Sequence, residues 1–84
     1  MITYILATCS PGNEKNVIQK IKKISNVIEV NGIMGKYDIF IKIQADDTLK
    51  VDSAISKIRN IPHVASTTSI PALYGQGGTM DDED

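Results

Sequence analysis

Apolar and polar positions divide this chain into six blocks of alternating or recurring pattern. Ile2, Tyr4 and Leu6 alternate with Thr3, Ile5 and Ala7 in a run closed by the Ser10-Pro11-Gly12 breaker, which predicts a strand over residues 2–8. From Asn13, a candidate N-cap, Val17, Ile18, Ile21 and Ile24 fall on one face of a 3.6-residue period. Glu14, Lys15, Gln19, Lys22 and Lys23 fall on the other, so a helix is predicted to about Ile24. Val27, Ile28, Val30 and Ile33 predict a second strand. Met34-Gly35-Lys36-Tyr37 then leads in hairpin fashion into the densest apolar run, Ile39-Phe40-Ile41-Lys42-Ile43, the third. Asp46 or Asp47 offers an N-cap to a second helix with Leu49, Val51, Ala54, Ile55 and Ile58 on its apolar face, and Pro62 stops it near Asn60. Val64 to Ile70 is the fourth strand.

The chain also matches itself at an offset of 37. Ile2, Tyr4 and Leu6 align with Ile39, Ile41 and Ile43, then Ile18, Ile21 and Ile24 with Ile55, Ile58 and Ile61, Val27 with Val64, and Ile33 with Ile70. Two βαβ halves of this kind imply an α+β fold, the ferredoxin-like βαββαβ arrangement of a four-stranded antiparallel sheet with two helices on one face. The opposite face is then expected to present Ile5, Ala7, Phe40, Lys42, Glu29, Asn31 and Ile33. Several of these are apolar, which points to sheet-to-sheet dimerisation.

Eighty-four residues make one small domain and exclude a two-domain enzyme with an interdomain cleft. A chain this short buries only about 60 to 65% of its unfolded surface, so oligomerisation is expected. The net charge of −1 conceals an asymmetry: residues 1–80 carry nine cations and six acids, and the last four residues are all acids. A sum so near neutral argues against gripping nucleic acid through the overall field. The domain is expected over residues 1–74, followed by an acidic, disordered tail over 75–84, either a solubilising end or an anion competing for a basic surface. The single Cys9 forms no internal disulfide, and no apolar run approaches the roughly 18 residues of a membrane span. A cytoplasmic protein without membrane attachment is expected.

Catalysis requires a nucleophile with a base, paired carboxylates, or metal ligands, and the chain is short of all three. Its one histidine, His63, follows Pro62 in a turn, and no Cys-x-x-Cys pair is present. Asp46-Asp47 is explained by helix capping and the helix dipole. The one arginine, Arg59, ends the second helix rather than lining a phosphate loop, and the third strand lacks the aromatic positions on which this fold stacks RNA bases. No enzymatic activity, metal or other cofactor, and no direct nucleic-acid partner, is expected. The remaining feature is the loop Gly35-Lys36-Tyr37-Asp38, a flexible glycine, a cation, a phenol and a carboxylate in four positions. Such a set suits an amino acid zwitterion, and it equally describes a polar hairpin with glycine at a turn position.

Gly35-Lys36-Tyr37-Asp38 before an isoleucine-rich strand, then Ala45-Asp46-Asp47, Lys57-Ile58-Arg59-Asn60-Ile61-Pro62-His63-Val64 and Ser66-Thr67-Thr68-Ser69, together resemble the effector domain of Lrp/AsnC regulators. This is the RAM domain (regulation of amino acid metabolism), and the resemblance covers residues 1 to about 72. It implies sheet-paired dimers that assemble further, with an amino acid effector bound between dimers. Carried over residue by residue, it implies a ligand site at Gly35, Lys36, Tyr37 and Asp38, closed by the hydroxyls of Thr67, Thr68 and Ser69. Two positions depart from the family: Lys36 stands where an acid is usual, and His63 where a glycine is common. Because the chain starts directly with its first strand, it looks like a stand-alone RAM domain without a helix-turn-helix, one that co-assembles with full-length regulators. The competing readings are an enzyme of the dimeric α+β barrel type and a purely structural oligomerisation module.

Overall fold

A computed structural model of the chain describes residues 1–73, Gly75 and Gly77; apart from those two glycines, the expected disordered tail lies outside the described residues. The elements run β1 (Ile2–Cys9), α1 (Glu14–Ile21), β2 (Val27–Gly32), β3 (Ile39–Gln44), α2 (Thr48–Arg59) and β4 (Val64–Pro71). The strands form one sheet in the order β2-β3-β1-β4, antiparallel throughout, and the fold is ferredoxin-like. Each half contributes one central strand and one edge strand, which is why the internal repeat is visible in the sequence.

Ile39, Ile41 and Ile43 of β3 are fully buried beneath Val17 and Ile21 of α1 and Val51, Ala54 and Ile58 of α2. Burying a side chain of this size contributes about 1.5–3 kcal/mol, so the β3 isoleucines anchor the core. Asp47 caps α2 by accepting from the N–H of Lys50 at 2.9 Å. Asn13 precedes α1 without a side-chain cap on the helix; its amide instead reaches back to the carbonyls of Ser10 and Pro11. α1 closes at Ile21, earlier than its apolar period suggests. Its last turn tightens through Lys23 N–H to Lys20 O and Ile24 N–H to Ile21 O, and Asn26 then adopts a left-handed φ of 77°.

One expectation is corrected. Ile5 and Ala7 do not lie on the open face; both are fully buried beneath the helices, with Thr3 and Cys9 of the same parity. The open face carries Tyr4 and Leu6 instead, because Leu6 pairs with Phe40 and Tyr4 with Lys42 and Ile70. Both parities of β1 are rich in β-branched or apolar residues, so alternation alone does not choose the face. Packing chooses it: the small Ala7 and Thr3 fit under the helices, while Tyr4 stacks against Phe40 on the open side, ring centroids 5.7 Å apart. Phe40, Lys42, Glu29 and Asn31 lie on the open side as expected, and Ile33 follows the end of β2, 38% exposed. By face, therefore, Thr3, Ile5 and Ala7 correspond to Ile39, Ile41 and Ile43, an offset of 36 rather than 37, whereas Ile21 and Ile58 keep the offset of 37.

Candidate functional site

The loop after β2 is held at both ends by main-chain bonds. Ile33 N–H donates to the Asp38 carbonyl and Asp38 N–H to the Ala7 carbonyl, each at 2.9 Å. The Asp38 side chain then accepts from Cys9 N–H through Oδ2 at 2.9 Å, closing a contact between residues 29 positions apart. Gly35 adopts a φ of +126°, a region L side chains rarely enter, which explains glycine at this corner. Lys36 is exposed, and its Nζ lies 5.9 Å from the Tyr37 ring centroid, at the outer limit of cation–π distance. Tyr37 and Asp38 are half-buried.

The three β4 hydroxyls do not share a face. Thr67 pairs with Ala7 and Ser69 with Ile5, on the side of α2, whereas Thr68 pairs with Leu6 and faces the open side. The loop and Thr67 do meet at one end of the sheet, since Asp38 bonds to the same Ala7 that Thr67 opposes. They stand two strand spacings apart, about 9.6 Å. Thr67 is already engaged: Arg59 donates from Nε to its Oγ1 at 2.8 Å.

Arg59, at the end of α2, lines an open groove. A groove of about 640 Å³ separates α2 from β4, with Arg59, Asp52, Ile55 and Val51 on the helix side and Thr3, Ser69 and Pro71 on the sheet side. It is open because Thr3 of β1 and Ser69 and Pro71 of β4 lie beneath the helix where larger apolar side chains would fill the space. Arg59 also borders a second hollow of about 400 Å³ along Val64 to Thr67. The signal was present in the sequence as the polar stripe Asp52, Ser56 and Arg59 at positions i, i+4 and i+7 of the helix.

Other candidates carry no chemistry. No group of three or more His, Cys, Asp or Glu side chains is placed to hold a metal among the described residues. Cys9 is buried; its burial, then the carboxylates of Asp38 and Glu14, push the thiol above its ordinary value of 9.0, away from a reactive thiolate. No helix among the described residues is long and apolar enough to cross a membrane.

The family model for the Lrp/AsnC ligand binding domain matches residues 3–74. The chain belongs to this family. Among solved structures it is similar to FFRP-DM1, at 29% identity and a TM-score of 0.80, over 86% of this chain and 97% of that one. It is equally similar to hypothetical protein PHS023 from Pyrococcus horikoshii, at 29% identity and a TM-score of 0.80, over 90% and 94% of the two chains. The Neisseria meningitidis transcriptional regulator NMB0573, solved as a complex with L-methionine, shares the fold at 12% identity and a TM-score of 0.79, over 94% of this chain and 53% of that one. A search of curated proteins found no match. The expectation of glycine at position 63 has a physical reading, since His63 sits at a left-handed φ of 78°.

Proposed function

We propose that this chain senses a small molecule, with an amino acid as the expected class, and does so as a homo-oligomer. The observation that carries the reading is the extent of the ligand-binding-domain match, residues 3–74, which takes in both the loop 35–38 and the β4 hydroxyls 67–69. The Neisserial regulator's complex with L-methionine supports the ligand class. The half-buried Tyr4, Leu6 and Phe40, together with the exposed Ile70, form an uncovered apolar band that supports pairing of sheets into a dimer. Gly35, Lys36, Tyr37 and Asp38 of one dimer line the effector site, Thr67 closes it from across β1, and Ser69 extends it along β4. Thr68, on the opposite face, contributes to the dimer rather than to the ligand. Dimers then associate around the ligand, and effector binding shifts the assembly by its differential affinity for the two states. The same sheet face admits full-length regulators of the family, so the chain modulates them in the cytoplasm by co-assembly.

Thermal melting of the full chain in each of the twenty amino acids tests this. Ligand at 100 times its dissociation constant adds about 2.7 kcal/mol of stability and raises the melting temperature. Twenty unshifted melting curves would refute the sensing role.

A further inference from the structure

The groove between α2 and β4 lies apart from the loop at 35–38, meets the proposed effector site only at Ser69, and is completed within one chain. Its volume of about 640 Å³ falls in the range of about 300–1,000 Å³ found for small-molecule sites. Ile55, Val51 and Pro71 give it an apolar wall, and Thr3 and Ser69 give it hydroxyls on the sheet side. Two opposite charges, Asp52 and Arg59, line the same groove from one helix. Neither is in an ion pair among the described residues, where the single ion pair is Lys50 with Asp46 at 3.7 Å. Arg59 is nevertheless oriented, since its Nε is held by Thr67 at 2.8 Å while its terminal nitrogens keep their donors for another acceptor.

The spacing of these charges selects the ligand. Seven residues of helix set the Cα atoms of Asp52 and Arg59 about 10.5 Å apart along the axis and return both to one face. A free amino acid carries its ammonium and carboxylate on one carbon and does not bridge that distance. An extended chain advances about 3.3–3.6 Å per residue, so three residues span it. We propose that the α2–β4 groove binds short peptides of about three residues with free ends. The C-terminal carboxylate takes the Arg59 fork, the amino terminus faces Asp52, and a central apolar side chain lies on Ile55 and Val51. Charge complementarity sets the direction, and the apolar wall sets a preference for an aliphatic middle residue.

Isothermal titration calorimetry of the full chain with the tripeptide Ala-Leu-Ala tests the assignment. Binding is expected, with at least a tenfold loss on C-terminal amidation, a similar loss on N-terminal acetylation, and weaker binding of free leucine. In Asp52→Asn, an exposed change that leaves the fold intact, acetylation ceases to matter; in Ile55→Trp, which fills the groove, binding is lost. Absence of tripeptide binding, equal affinity for the free and the doubly blocked peptide, or tighter binding of leucine than of the tripeptide in Asp38→Asn, where the effector site is blunted, would each overturn the proposal. Asp38→Asn separates this site from the effector site, since it is expected to blunt any amino acid response while tripeptide affinity stays unchanged. Loss of tripeptide binding in Asp38→Asn would overturn the groove as a separate site.

Discussion

The carboxylate of Asp38 accepts a hydrogen bond from the main-chain N–H of Cys9 at 2.9 Å, fastening the β2–β3 loop to the end of β1. Cys9 is buried, so removing the acceptor strands a main-chain donor. Asp38→Ala is expected to lose about 1–3 kcal/mol, and Asp38→Asn, which keeps a side-chain carbonyl, markedly less. Urea unfolding of the two variants checks this. Equal losses would show that the bond is not what holds the loop, and the alanine variant would then be the cleaner probe of ligand response.

His63 holds a left-handed backbone that costs an ordinary L residue about 1–2 kcal/mol, a cost glycine escapes in exchange for a larger unfolded-state entropy. His63→Gly is therefore expected to raise stability by about 0.5–1 kcal/mol. A loss of stability on chemical denaturation would mean that the imidazole makes compensating contacts.

The Cys9 thiol, raised by burial and by Asp38 and Glu14, keeps its proton in the folded state at a pH where the unfolded chain has released it. The folded state then binds more protons, so this group's contribution is intact below pH 9 and falls as pH rises above the ordinary thiol value of 9.0. Cys9→Ala is expected to flatten stability above pH 9, and a thiol reagent at pH 8 to label the native chain far more slowly than the urea-unfolded one. Equal labelling rates would contradict a protected thiol.

On the open face, Leu6 sits across from Phe40 and Thr68. If the sheets pair as proposed, a charge at Leu6 is left desolvated and unpaired at the centre of the contact, so Leu6→Glu is expected to give the monomer mass of 9.2 kDa while its circular dichroism stays that of the folded sheet. An unchanged oligomer would relocate the interface.

Legibility in the sequence followed how unambiguously each segment's chemistry selects an environment. The β3 run Ile39, Ile41 and Ile43 has only one reading, and both it and α2, with its Asp47 cap and Pro62 stop, fall where the pattern predicts. β1 offers two apolar parities, and only the partner side chains decide that Tyr4 and Leu6 face outward. The loop at 35–38 was legible as a corner because Gly35 and Asp38 have backbone roles. The convergence of Thr67 with Arg59 was not, since it depends on the crossing of α2 over β4, which no local pattern encodes. The groove was hidden for the same reason: small residues on β4 signal space only once a helix is known to lie above them.

The most direct test of the sensing account is the solution mass of the full chain by light scattering, alone and with each of the twenty amino acids. A mass of at least twice 9.2 kDa without additive, and a change of assembly with at least one amino acid, are expected. A mass that stays at 9.2 kDa, or that none of the twenty moves, would contradict it.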